Sequence, residues 1–133
     1  MNYLLDTNIC VHFFRGKFGV TEIFEALNAN DCAISEITLA ELAFGAESSK
    51  NPQKNHRLIE QFIGLVTVLP IYDSIMIYGK EKSRLRKAGT MISDLDLFIG
   101  CTTLANDLIM VTENKREFER ILGLKLENWV DRS

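Results

Sequence analysis

The chain has 133 residues, 47% hydrophobic and 25% charged, with a net charge of −3. This is the size of one domain, 1–133, that can bury its own core, and its mild acidity argues against a protein that grips nucleic acid through an overall basic surface. No run of about 18 apolar residues is present to cross a membrane, and Asp6 ends the opening apolar run too early for a signal peptide, so a cytoplasmic protein is expected.

Asn2 to Leu5 reads as a first strand, closed by Asp6. Asn8 to Phe14 is a short helix and Thr21 to Ala29 a second, with Ile23, Phe24 and Leu27 apolar. Cys32 to Ile34 is a strand ending at Ser35, which can cap a helix from Ile37 to Ala46. Lys54 to Leu65 carries Leu58, Ile59, Phe62 and Ile63 on one helical stripe, and Thr67 to Ile71 is a strand. Ser74 to Lys87 is a helix stopped by Gly89. Ser93 to Asn106 is helical and apolar almost all round, so it should be buried. Leu108 to Thr112 is a strand, Lys115 to Arg120 a short helix, and Leu124 to Glu127 a closing edge strand. Strands alternating with helices predict an α/β fold with a mostly parallel sheet of four or five strands between helical layers. The three cysteines, Cys10, Cys32 and Cys101, are odd in number, distant and set among apolar residues. They read as reduced core residues, and neither His12 nor His56 stands at metal-ligand spacing to them.

In such a fold ligands bind at the carboxyl ends of the strands, where the chain order reverses. Asp6 sits at one such end, either as a turn and cap residue or as a functional acid. Glu41 falls on the stripe defined by Ile37, Ala40 and Phe44, where a charge is costly unless paired or metal-bound. A buried salt bridge, a stripe edge reaching water and a functional role all fit it. Asp94 and Asp96 open the buried helix after Ser93; acids favour that position, and Ser93 with Asp96 approaches a capping box. Two residues apart on a helix they differ by about 200°, so they cannot point the same way. Clustered carboxylates repel unless a cation neutralises them, and oxygen-only ligands suit Mg²⁺ or Mn²⁺, whose common use is phosphodiester hydrolysis.

Four segments carry a family resemblance: Leu4-Leu5-Asp6-Thr7-Asn8, Ser35-Glu36-Ile37-Thr38-Leu39-Ala40-Glu41-Leu42, Asp94-Leu95-Asp96-Leu97-Phe98-Ile99 and Val111-Thr112-Glu113-Asn114. In order and spacing they resemble the motifs of PIN-domain toxins, the nuclease half of VapBC-type toxin–antitoxin pairs, and Gly123 to Trp129 is similar to that family's closing strand. The resemblance implies a PIN-like three-layer α/β/α fold and a Mg²⁺- or Mn²⁺-dependent endoribonuclease. It implies Asp6, Glu41 and Asp96 as catalytic, metal-binding acids and Asp94 as an additional carboxylate. Thr7 and Asn8 would orient Asp6, with Thr112 beside the metal. Many members carry an Asp where this chain has Asn114, which can still coordinate through its carbonyl; Glu113 reads as a solvated loop acid.

Arg15, Lys82, Arg84, Arg86 and Lys87 are candidate RNA contacts, or a solvated basic helix face. The resemblance further implies a VapB-like antitoxin whose tail occupies the groove, a homodimer, and a larger assembly on operator DNA. Phe13, Phe14 and Phe18 are either antitoxin contacts or core. Two other readings compete: a catalytically impaired PIN-fold binding module, and a DNA- or structure-specific nuclease. An aspartate phosphotransferase would want a second Asp where Asn8 stands.

Overall fold

The computed structural model describes residues 1–133. Five strands form one parallel sheet: β1 (Tyr3–Leu5), β2 (Cys32–Ser35), β3 (Thr67–Leu69), β4 (Ile109–Val111) and β5 (Lys125–Glu127), in the order β3-β2-β1-β4-β5. Every pairing is parallel, with β1 in the middle, Leu4 opposite Ala33 on one side and Met110 on the other. The crossovers run outward from β1 to β3 on one side and then from β4 to β5 on the other. The reversal falls between β1 and β4, so their carboxyl ends frame the crevice that such sheets offer a ligand.

Successive strand residues face opposite sides, and each side has its own apolar layer. Leu5, Cys32, Ile34 and Val111 pack with α1 (Thr7–Arg15), α2 (Val20–Ala26), α3 (Glu36–Glu47) and α4 (Pro52–Ile63). Leu4, Ala33 and Met110 pack with α5 (Ile75–Ala88), α6 (Asp94–Ala105) and α7 (Lys115–Phe118). This is the expected three-layer α/β/α sandwich. Phe13 and Phe14 join the first layer through edge contacts with Phe24 and Phe62. All three cysteines are free and buried, and burial pushes each thiol up. No helix is long and apolar enough to cross a membrane.

Four of the seven α-helices start at a side-chain cap. Asp6 caps α1, Ser35 caps α3, and Ser93 caps α6 by accepting from the Asp96 N–H. Pro52 occupies the first turn of α4, two residues earlier than the apolar stripe suggests. The second helix ends at Ala26, because a 3-10 turn over Ala29–Asp31 takes the rest.

One expectation about α3 fails. Ile37, Ala40 and Phe44 are not its buried stripe: Thr38, Leu42 and Ala46 are, and Phe44 is 75% exposed. Apolar residues occur all round this helix, so periodicity alone could not select the inward face. The helix α6 is buried as expected, and Gly100 lets Ile121 approach to where a Cβ would stand 2.4 Å from its Cδ1.

Candidate active site

Asp6 leaves the sheet at the end of the central strand and is 7% exposed. Its backbone N–H still donates to Val111, and its carboxylate is gripped on both sides. The Thr7 N–H donates to Oδ1 at 2.8 Å and the Thr112 hydroxyl to Oδ2 at 2.8 Å. Thr112 follows β4 directly, is fully buried, and accepts from the Asn114 N–H at 2.9 Å. The residues after the two strands at the reversal point are therefore tied directly together.

Glu41 approaches from α3. Its carboxylate accepts from the Thr7 hydroxyl at 2.7 Å, and the Thr7 and Thr38 hydroxyls lie 3.1 Å apart. It is half-buried and forms no salt bridge, which removes the buried ion pair among its possible explanations. Asp96, at the first turn of α6, is also half-buried.

The electrostatics join these acids. Burial pushes the Asp6 carboxyl up to about 6 against the hydrogen bonds of Thr112 and Thr7, and the charges of Asp96 and Glu41 push it further. Burial likewise raises Asp96, opposed by Ser93 and helped by the charges of Glu41 and Glu117. The charge of Glu117 in α7 thus reaches Asp96, and this residue was missed in the sequence. An acid three residues after Asn114, which precedes α7, looks like an ordinary helix start, so its proximity to Asp96 had no local signal.

Asp94 is separated from this group. Its carboxylate accepts from the Tyr78 hydroxyl and Lys82 Nζ, each at 2.8 Å, and sits on the exposed side of α6. The rotation between positions two apart on a helix has sent the two aspartates to different neighbours. Lys82 spends its charge on Asp94, and Arg84 spends its own on Glu81. Arg86, Lys87 and Arg15 stay exposed.

Two hollows open from the site. Asp6, Asn8, Glu113 and Asn114 line a cleft of about 240 Å³. Thr7 and Glu41 form part of a larger groove of about 360 Å³ between α1, α3 and α4, whose walls include Val11, Phe14, Leu42 and Leu58. Glu113 is a partly exposed loop acid, as read, but a paired one: Arg132 binds both its oxygens and His12 Nε2 lies 3.4 Å away.

As the side chains stand, no three carboxylate, imidazole or thiolate groups converge closely enough to hold a metal ion. The donor chemistry nevertheless fits a hard divalent cation. The acids offer oxygen only, they repel one another, and none of Asp6, Glu41 and Asp96 has a cationic partner.

Fold and site together define a PIN-type nuclease architecture, and the family described as PIN domain matches residues 3–124. The chain belongs to the PIN-domain family, among its VapC ribonucleases. It is 37% identical to Ribonuclease VapC2 of Haemophilus influenzae, over 98% of this chain and 99% of that one. It is 38% identical to the tRNA(fMet)-specific endonuclease VapC of Shigella flexneri, over 97% and 98%. The DNA-bound VapBC of Salmonella typhimurium superposes with a TM-score of 0.90 at 34% identity, covering 97% of this chain and 98% of that one.

Proposed function

We propose that the protein is the toxin of a toxin–antitoxin pair, an endoribonuclease that hydrolyses RNA phosphodiester bonds with a divalent cation, Mg²⁺ or Mn²⁺. The observation that carries this reading is that Asp6, at the sheet's reversal point, feels the charges of Asp96 and Glu41, Asp96 feels that of Glu117, and no Lys, Arg or His side chain pairs with any of the four. In a chain similar to VapC ribonucleases over nearly its whole length, that is the electrostatics of a site built to receive a metal.

Asp6, Glu41 and Asp96 would hold the ion, with Glu117 the fourth charge; Asp94 is left out because Lys82 and Tyr78 hold it elsewhere. When bound, the ion supplies positive charge to the scissile phosphate and acidifies the attacking water. The protein's own part is positional. Thr7 N–H and Thr112 Oγ1 fix both oxygens of Asp6, so its carboxylate plane is set before anything binds. The Thr7 hydroxyl keeps Glu41 beside it. Asn8 and Asn114 line the cleft with neutral amides that can donate to a phosphate oxygen or a base edge. Arg86, Lys87 and Arg15 supply exposed charge for an RNA backbone.

The groove beside Glu41 suits an apolar peptide with a basic residue reaching the acids, the expected manner of an antitoxin. The Salmonella typhimurium relative is described as a DNA-bound VapBC complex, which supports an antitoxin partner and assembly on operator DNA here. Phe44, Tyr72 and Met76 are each at least 75% exposed, which supports self-association into a homodimer.

The test is incubation of purified, antitoxin-free protein with total cellular RNA, in Mg²⁺, in Mn²⁺ and in EDTA, beside Asp96→Asn. Discrete cleavage that needs both metal and Asp96 is expected. The name of the Shigella flexneri relative makes transfer RNA the fraction to inspect first. Intact RNA with well-folded protein in every condition would overturn the nuclease and favour a binding module.

A further inference from the structure

The segment after β5 folds back over the site. Trp129 is buried against Tyr3, with ring centroids 5.3 Å apart. The Asp131 N–H donates to the Phe18 carbonyl at 2.9 Å, and the Arg132 guanidinium lies 4.2 Å from the Phe18 ring centroid. Phe18 itself takes φ 60°, a left-handed conformation rare for a residue with a side chain, and this strap holds it there. The same guanidinium binds Glu113 through two donors, Nε and Nη2, the second at 2.8 Å. His12 packs edge-on to Phe18 and reaches Glu113 from the other side.

Glu113 is one of four residues lining the cleft next to Asp6. A free carboxylate there would add a negative charge beside a group of acids that already repel one another, and it would face any incoming phosphate. The guanidinium fork removes that charge from the cleft without closing it.

We propose that Arg132 is a positioning residue that sets the charge of the active-site cleft: by clasping Glu113 it keeps this carboxylate from acting as an additional cation ligand and from repelling the RNA phosphate. The proposal rests on the nuclease reading above and gives that site a second carboxylate wall whose availability is governed by the closing strap. It predicts effects of opposite sign on the two ligands. Losing Arg132 frees Glu113, which tightens the cation and loosens RNA. Losing Glu113 frees Arg132, which loosens the cation and tightens RNA.

The experiment compares the unsubstituted chain with Arg132→Gln, Glu113→Gln and the double variant at fixed pH. Mn²⁺ binding is read by titration calorimetry, and binding of a fluorescent oligouridylate by anisotropy in EDTA. Arg132→Gln is expected to bind Mn²⁺ roughly fivefold more tightly and the oligonucleotide more weakly by a similar factor. Glu113→Gln should move both the other way, and the double variant should return close to the starting values because its net charge is restored. Arg132→Lys, which keeps the charge, should lie nearer the unsubstituted chain than Arg132→Gln. Unchanged Mn²⁺ affinity in Arg132→Gln, or a change that persists in the double variant, overturns the proposal. If Arg132→Gln does not fold, Glu113→Gln decides alone: an unshifted or tightened Mn²⁺ affinity overturns it. Neither titration requires cleavage, so an inactive chain that shows the paired shifts sinks the nuclease reading alone. A chain that binds no Mn²⁺ sinks both.

Discussion

Two parts of the molecule leave a carboxylate residue equally little exposed to solvent: the carboxyl end of β1, with Asp6, and the outer helix α5, with Glu81, each 7% exposed. Glu81 accepts from Arg84 Nε and Nη2, each at 2.9 Å, and from the Leu122 N–H at 3.2 Å. Those bonds, led by Arg84, hold its carboxyl below the usual range. Arg84 goes on to donate to the Arg120 carbonyl, so the pair fastens α5 to the loop after α7. Asp6 lies deeper, at the end of the central strand, receives only neutral donors, and faces two like charges. A buried acid with its own cation is a fastening. One left with hydroxyls, amides and other acids is a place where a cation from outside lowers the energy.

The largest test of this contrast is Asp6→Asn. RNA cleavage should fall by about a thousandfold or more, read in single-turnover assays. The same substitution should raise the stability of metal-free protein by up to about 3 kcal/mol at neutral pH, and with it the melting temperature, because it removes a carboxylate whose ionisation is held up to about 6. Arg84→Ala should do the reverse and lower the melting temperature, since it strands Glu81. A loss of stability in Asp6→Asn would break the comparison.

The pH profile sharpens it. Unfolded, Asp6 ionises near 3.8; folded, near 6. Between those values the folded state binds more protons, so this group lowers stability as pH rises through the interval, and above about pH 6 the penalty is constant. The advantage of Asp6→Asn over the unsubstituted chain in metal-free thermal melts should therefore shrink from pH 7 to pH 4. Glu81 has the opposite sign: its depressed carboxyl stabilises above the unfolded value, and that stability is lost as pH falls through its folded value.

A smaller effect is expected at Glu117. Glu117→Gln should weaken Mn²⁺ binding several-fold in calorimetry, because it removes one of the charges that Asp96 feels, without the loss of fold that a core substitution brings. The smallest concerns RNA. The double substitution Arg86→Ala with Lys87→Ala should reduce the salt dependence of oligonucleotide binding by about 1 to 2 in the logarithmic slope. Lys82→Ala should change it less, since that charge is already paired with Asp94.

Much of the architecture was legible. Asp6, Ser35 and Ser93 mark helix starts because their side chains satisfy backbone donors within three residues, which is a local event. The alternation of short apolar runs with longer helical patterns gave the three layers, and the order of strand ends located the crevice. The helix α3 was misread at Ile37, Ala40 and Phe44, since a helix apolar on all sides does not declare which face its neighbours cover. Glu81, three residues before Arg84 on the same helix, was a local partner open to reading, whereas the Arg120 carbonyl and the Leu122 N–H reach this pair only when α5 packs against the 119–122 segment.

The sequence by itself therefore determined the class of fold and the acids at the ends of its elements, because capping, period-2 strands and helical stripes are written over a few neighbouring residues. Only the tertiary structure decided which charge meets which. It sent Asp94 to Lys82 and Asp96 toward Glu41, brought Glu117 to Asp96, and gave Glu113 to Arg132. Those pairings join residues from twelve to more than fifty positions apart, and their energy depends on distance and burial, which a linear pattern does not carry.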